Sequence, residues 1–262
     1  MSEPVVIVRD EGSARIVTLN RADKRNAMNF EILAQLEEIM KEIVEKDSVR
    51  TVILNGAGPA FSAGIDFFAL AGADMSGTGK FRALVQRLQN VTHLLARLEK
   101  PVIAVLHGYC IGMALEFALA CDFRIAETGT RINIEEVRLG LIPDVGGSTR
   151  LVRTVGLPRA KELIMTGKTI DPETAEKWGL VNEVVPAGEG MAAAIRWHEE
   201  LGKGAPLAVG VAKMVLDHAY ELDMQSSMKF EAVAQSLLVR SKDFQEGVAS
   251  RIEKRAPVWK GE

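Results

Sequence analysis

The order of the apolar segments constrains the fold of this chain more than any other feature. Short runs rich in β-branched residues alternate with longer segments whose apolar side chains recur at helical spacing. The strand-like runs are 5–8, 15–19, 50–56, 101–108, 121–126 and 131–136. The helical segments are 30–44, 81–98 and most of the chain from 188 onward, with a break at 204–206. This order predicts an α/β core with a C-terminal helical extension.

Two segments carry local signals for a hairpin and for a helix. The first two strand-like runs are separated by RDEGSA, a turn-forming cluster that predicts a β-hairpin. In DPETAEKWG, Asp171 suits the N-cap of a helix, Pro172 its first position and Gly179 its end.

Composition and charge exclude several classes of protein. The chain has 262 residues and 47% hydrophobic composition, as expected for a globular protein, and its net charge of −3 argues against nucleic-acid binding. Cys110 and Cys121 lie in apolar surroundings and indicate reduced core residues of an intracellular protein. The opening MSEPVVIVRD lacks the basic region of a secretory signal, and no stretch reaches ~18 uninterrupted apolar residues. We therefore expect a cytoplasmic protein that does not associate with membranes.

One carboxylate stands alone in an apolar run. The segment GYCIGMALEFALACD, 108–122, has Gly112 where a strand could turn into a helix, and Glu116 follows among apolar residues on every face. A helix that is apolar all round is buried. A buried Glu is either half of an ion pair, with Arg124 or Arg138 as partners, or a general acid or base kept from bulk water.

The segment NIEEVRLGLIPDVGG, 133–147, offers further carboxylates. If Glu135 and Glu136 lie on a strand, their side chains alternate, so one can face inward while the other faces water. Asp144 precedes Val-Gly-Gly and reads as a turn residue or the cap of a helix that begins at Gly146. Glu116 and Glu136 together would supply the pair of carboxylates that acid–base chemistry needs.

The loop PAFSAGIDFF, 59–68, allows close approach of a ligand to the backbone. Its glycine removes the side-chain barrier, and two N–H groups from separate loops can hold a developing oxyanion. The alternative is a plain loop in which Asp66 caps a short helix. The sequence contains no G-x-G-x-x-G, Walker A or G-x-S-x-G motif, and its four His have no metal-ligand spacing, so we expect no metal site.

The chain resembles the crotonase family, the enoyl-CoA hydratases and isomerases. The matching segments stand in family order over about residues 4–190: VTLNRADKRNAMN, FSAGID, GYCIGMALEFALACDFRIA, EEVRLGLIPDVGGSTRL and LIMTGKTIDPETAEKWGLVNEVV. The tail EGVASRIEKRAPVW is similar to the family's C-terminal helix. The resemblance implies a spiral of repeated ββα units over 1–190 and a helical trimerisation region over 191–262, with trimers often paired as hexamers.

The resemblance also implies a chemistry. Glu116 and Glu136 match the two carboxylates with which the family's hydratases add water across the C2–C3 double bond of an enoyl thioester. One activates the water and the other exchanges the proton at C2. The backbone N–H groups of Ile65 and Met113 match the oxyanion-hole donors. Met113 would sit at a helix N-terminus, where the helix dipole adds to the effect.

The resemblance implies that coenzyme A is bound as part of the substrate, without a separate cofactor. Lys24 and Arg25 match basic residues near its phosphates, although both are also typical of a solvated turn. Lys254 is a looser match from a neighbouring subunit. The backbone positions matched to the adenine are Ala27, Ala63, Gly64 and Asp66.

Two departures from the family pattern leave the reaction open. Met113 stands where a glycine is common and could narrow the acyl site. Asp144 stands where the best-known hydratases have Gly; dienoyl-CoA isomerases have Asp there, but they also have Asp at the position of Glu116. We expect an enoyl-CoA hydratase, with an enoyl- or dienoyl-CoA isomerase that uses Asp144 as the first alternative. The remaining alternatives are a catalytically silent acyl-CoA-binding scaffold and a thioester hydrolase.

Overall fold

The computed structural model describes residues 4–74 and 76–262. The strands within these ranges are β1 Val6–Glu11, β2 Ala14–Leu19, β3 Thr51–Gly56, β4 Val102–Leu106, β5 Tyr109–Ile111, β6 Phe123–Glu127, β7 Arg131–Asn133 and β8 Glu183–Val185. The helices are α1 Phe30–Val44, α2 Phe67–Ala71, α3 Thr78–Arg97, α4 Met113–Ala118, α5 Gly147–Thr166, α6 Pro172–Lys177, α7 Gly190–Leu201, α8 Pro206–His218, α9 Met224–Leu238 and α10 Lys242–Glu253. Short 3₁₀ helices span Ala22–Lys24 and Glu136–Leu139.

A six-stranded sheet in the order β1-β2-β3-β4-β6-β8 forms the centre of the fold. β1 and β2 form the expected antiparallel hairpin, and every later pair is parallel. Helices cover both faces of the central strands, so β2, β3, β4 and β6 are largely buried, whereas β1 is mostly exposed. In β3, Val52 and Leu54 belong to the core beneath α1 and α3, whereas Ile53 belongs to a second core with Ala193 of α7.

The carboxyl ends of the parallel strands place three loops at one edge of the sheet. They are the loops 20–29 and 57–66, which follow β2 and β3, and the segment 107–112, which follows β4 and contains β5. Isolated β-bridges join Met28 to Ile65 and Ser62 to Cys110, and β5 pairs in parallel with β7 to form a small second sheet. Open α/β sheets place ligands at this edge.

Most of the predicted elements are confirmed. α1 and α3 match the two helical segments to within three residues at either end, and Asp171 caps α6 by accepting the N–H of Thr174 at 2.7 Å. The strand expected over 131–136 is wrong in its second half, because β7 ends at Asn133 and Glu136 begins a 3₁₀ helix. α5 is interrupted at Gly156, whose φ of 76° is not helical.

The C-terminal helices leave apolar side chains uncovered. α7 packs on the sheet, but α8, α9 and α10 expose much of their apolar surface, including Met224 at 77% and Ile252 at 77%. The division of the chain at residue 190 stays a prediction. Among the described residues, no helix combines the length and apolarity that a membrane span requires.

Candidate active site

Glu116 is buried and held by the backbone of a distant turn. Gly112, with φ 57° and ψ −124°, turns the chain from β5 into α4 and brings Glu116 one turn into the helix, where it is 1% exposed. Its Oε1 accepts the N–H groups of Val145 and Gly147, each at 2.8 Å. A methyl on Gly147 would lie 2.7 Å from the same Oε1, so only glycine fits there.

The ion-pair alternative for Glu116 is wrong. Arg124 donates to the carbonyl groups of Leu180 and Cys121, and the acidic partner of Arg138 is Glu135 at 3.8 Å. Glu116 therefore has backbone donors, and no cationic side chain of residues 4–74 and 76–262 forms an ion pair with it.

Glu136 faces the same space from the other side. A methyl group on Gly112 would lie 2.8 Å from its Oε1, so the carboxylate packs against the strand-to-helix turn. Its Oε2 is buried and has no hydrogen-bond partner within the described ranges. Glu135 points elsewhere, because its Oε2 accepts from Asn133 at 3.1 Å. The two side chains diverge as expected, although at the start of a 3₁₀ helix rather than on a strand.

Asp144 does not cap α5, contrary to the expected helix cap. The N-cap residue is Gly146, with φ 104° and no side-chain hydrogen bond at the cap. The N–H that such a cap would satisfy, that of Gly147, is already bound to Glu116. The carboxyl group of Asp144 is half-buried, and its charge acts on Glu116 and Glu136.

All three carboxyl groups have a raised pKa. Burial is the main cause and raises the pKa of Glu116 to about 7, and the charges of Glu136 and Asp144 add to it, against the two N–H donors. Burial likewise raises the pKa of Glu136, with the charge of Asp144 adding to it. Burial also raises the pKa of Asp144. Near neutral pH this cluster can both hold and release a proton, as acid–base catalysis requires.

We expect Glu116→Gln to stabilise the fold at alkaline pH. A Glu with a raised pKa in the folded state binds a proton more tightly there, so the stability of the native protein falls as pH rises from 4.5 to about 7. The amide carries no charge and keeps an oxygen for both N–H donors. Its free energy of unfolding should exceed that of the native protein by about 1–3 kcal/mol near pH 8 and by little near pH 4. Denaturant titrations at the two pH values test this, and equal differences at both would contradict it.

Two backbone N–H groups converge beside the carboxylates. The N–H of Met28 donates to the carbonyl of Gly64 at 2.7 Å, and the carbonyl of Met28 accepts the N–H of Asp66 at 2.9 Å. The N–H of Ile65, between these two residues, therefore points away from Met28. The N–H of Met113 opens α4, where no intrahelical acceptor exists. A methyl on Gly64 would lie 3.5 Å from the nitrogen of Met113, so the two loops are in contact. Within the described chain, neither N–H has a hydrogen-bond acceptor.

The side chain of Met113 is packed among apolar residues. It is 4% exposed and belongs to the main hydrophobic core. Narrowing of the acyl site by Met113 stays a prediction.

The two loops expected to bind coenzyme A lie side by side. Ala63 donates its N–H to the carbonyl of Arg25 at 2.9 Å, which joins the loop of Lys24–Ala27 to that of Ala63–Asp66. Lys24 and Arg25 are exposed, and the guanidinium of Arg25 stands 5.0 Å from the ring centre of Tyr109. Asp66 caps α2 by accepting the N–H groups of Phe68 and Ala69, as predicted by the alternative of a plain loop.

Two residues that fix these loops gave no recognisable signal in the sequence. Arg21 donates through Nη1 to the carbonyl of Ala27 at 2.7 Å and to Asp66 at 2.9 Å. Asn26 is fully buried and donates to the carbonyl groups of Ala57 and Ala60. Apart from Ala27, these partners lie 31 to 45 residues away, so only the folded chain reveals them.

Lys254 is not bonded to either loop within the described chain. It follows α10 in a left-handed conformation, with φ 56°, and has no side-chain hydrogen bond or ion pair with any described residue of either loop. Its expected contribution from a neighbouring subunit stays a prediction. Across residues 4–74 and 76–262, no cluster of His, Cys, Asp and Glu has the arrangement of a metal site.

Comparison with known proteins places this arrangement in a family. The family model described as enoyl-CoA hydratase/isomerase matches residues 9–262. A short-chain-enoyl-CoA hydratase from Clostridium acetobutylicum is 36% identical over 251 residues, which cover 95% of each chain. A 2,3-dehydroadipyl-CoA hydratase from Escherichia coli is 31% identical over 100% of both chains. The crystal structure of an enoyl-CoA hydratase from Bacillus anthracis superposes with a TM-score of 0.94 at 34% identity, covering 98% of this chain and 100% of that one.

The fold and the match over nearly the whole chain define an enzyme with the crotonase fold. The chain belongs to the enoyl-CoA hydratase/isomerase family. The expected α/β class with C-terminal helices is thereby confirmed.

Proposed function

We propose that this enzyme is an enoyl-CoA hydratase that adds water across the C2–C3 double bond of an enoyl-CoA thioester. The observation that carries the proposal is the convergence of Glu116, Glu136 and the N–H groups of Ile65 and Met113 on one space. The relatives named as hydratases support the same reaction.

The carboxyl pair supplies the proton transfers. In the proposed step one carboxylate takes a proton from water while the oxygen of that water bonds to C3. The other carboxyl group delivers a proton to C2. One group must therefore start ionised and the other protonated. The raised pKa values of Glu116 and Glu136 favour such a pair near neutral pH, since two adjacent buried charges repel each other.

The two N–H groups supply the electrostatic stabilisation. Attack at C3 moves negative charge onto the thioester oxygen, and the donors of Ile65 and Met113 are fixed by backbone bonds before the reaction begins. The exposed cations of Lys24 and Arg25 and the loop Ala63–Asp66 suit the phosphates and adenine of coenzyme A. The chemistry draws on proton transfer and oxyanion stabilisation alone.

An isomerase is the second candidate, favoured by one observation. Asp144 is not engaged at the helix cap, and its charge acts on both Glu116 and Glu136. A third carboxyl group could accept or deliver a proton further along the acyl chain, which moves a double bond without adding water.

A substrate panel separates the candidates. We expect the purified enzyme to hydrate crotonyl-CoA, measured as loss of the enoyl-thioester absorbance, and Asp144→Asn to keep most of this activity. Conversion of a 3-enoyl- or 3,5-dienoyl-CoA without hydration of crotonyl-CoA, lost in Asp144→Asn, would establish the isomerase instead. Failure to turn over any of the three thioesters, with binding retained, would favour a silent scaffold.

We further propose that the chain assembles as a homotrimer or a dimer of trimers. Exposed apolar side chains on α9 and α10 support this, including Met224, Met228, Leu237 and Ile252. A monomer would leave them in water, and patches of this kind mark interaction sites. Light scattering at micromolar concentration measures the mass, and a monomer would contradict the proposal.

A further inference from the structure

The turn that holds Glu116 is itself held by side chains of α3 and α5. Gln89 donates through Nε2 to the carbonyl of Asp144 at 2.7 Å. The hydroxyl of Thr92 and the Nη1 of Arg150 each lie 3.2 Å from the carbonyl of Val145. The N–H groups of Val145 and Gly147 therefore donate to Glu116, and the carbonyl groups of the turn accept from a separate set of donors.

A single peptide unit links Gln89 to Glu116 through two hydrogen bonds. The carbonyl of Asp144 and the N–H of Val145 belong to the same peptide bond. The oxygen accepts from Gln89 at 2.7 Å, and the N–H donates to Glu116 Oε1 at 2.8 Å. Hydrogen bonds in series polarise one another, so the amide of Gln89 strengthens the donor that meets the carboxylate.

We propose that Gln89 is a positioning residue for Glu116, acting through the Asp144–Val145 peptide. Gln89 fixes the orientation of that peptide and increases its power as a hydrogen-bond donor to the ionised carboxylate. Thr92 and Arg150 hold the next carbonyl and keep the turn in register. The proposal deepens the proposed hydratase function and rests on it only for the kinetic readout.

The charged groups near Glu116 define the background against which Gln89 acts. They are Glu136 from the 3₁₀ helix, Asp144 from the turn and Arg150 from α5. Replacing Gln89 changes none of these charges directly. A change in the titration of Glu116 would therefore report the orientation and donor strength of the peptide.

The test compares Gln89→Met with the matched control Gln86→Met. Gln86 lies one turn earlier on α3, is exposed and has no side-chain hydrogen bond to a described residue. We expect Gln89→Met to lower kcat for crotonyl-CoA hydration by about 10-fold with KM nearly unchanged, because a misplaced catalytic group slows the chemical step. Gln86→Met should match the native enzyme in both parameters.

A spectroscopic readout is independent of turnover. The infrared absorbance of the protonated carboxyl group of Glu116, identified by its loss in Glu116→Gln, should titrate ~0.5–1 pH unit higher in Gln89→Met. Gln89→Leu also loses the donor and adds no charge, so its shift should be similar. This variant also serves if Gln89→Met does not fold.

The outcomes are distinct. If native enzyme does not hydrate crotonyl-CoA but the infrared titration shifts as expected, the hydratase function fails and the positioning role stands. If both Gln89 variants leave kcat and the titration of Glu116 unchanged, the positioning role is overturned.

Discussion

Glu136→Gln is expected to lower kcat for hydration of crotonyl-CoA by ~10²–10⁴, the range for loss of a general acid or base. The amide keeps the size of the side chain against Gly112, so the fold should be barely affected. Steady-state kinetics give kcat, and denaturant unfolding measures the remaining stability.

Glu135→Gln is the matched control for this prediction. Glu135 is the adjacent residue with the same side chain, but it lies beside Asn133 and Arg138 rather than in the site. We expect it to retain near-native kcat. A larger loss in Glu135→Gln than in Glu136→Gln would show that the roles of the two residues are reversed.

Gly64→Ala is expected to lower kcat by ~10²–10³, as for loss of an oxyanion-hole donor. A methyl at Gly64 would lie 2.5 Å from the carbonyl oxygen of Ile111, so the loops that carry Ile65 and Met113 would have to separate. Gly64 also has φ +89°, which adds strain for any other residue. The measurement is kcat on crotonyl-CoA, with unfolding followed in parallel.

Gly188→Ala separates backbone strain from loss of the site. Gly188 has nearly the same φ, +86°, but a methyl there would meet nothing within 4 Å. We expect it to lose about 1–2 kcal/mol of stability and to keep its activity. If Gly64→Ala retains native kcat while unfolding as easily as Gly188→Ala, the two N–H groups do not form an oxyanion hole.

Local patterns were sufficient to predict most of the elements. The hairpin of β1 and β2, the helices α1 and α3 and the capped start of α6 each rest on residues close in sequence. The burial of Glu116 also followed from its neighbours, because α4 is apolar on all sides and every one of its residues is buried.

The errors arose where contacts between distant segments override local preference. Asp144 suited a helix cap, but the N–H of Gly147 is taken by Glu116, 31 residues earlier. The strand expected to reach Glu136 stops at Asn133, where pairing with β5 ends. Gln89 gave no signal because its partner is a backbone carbonyl 55 residues later, and any residue type supplies a carbonyl.

The way the 144–147 turn closes on Glu116 has a consequence for refolding. Its contacts with α3 and α4 join residues that are 29 to 55 positions apart in the sequence. Such contacts form late, because the chain entropy lost in closing long loops is recovered only when the distant segments meet. Helical signal after dilution from denaturant should therefore return before enzymatic turnover does. Recovered activity in this family member would report completed tertiary structure, whereas recovered helicity would not.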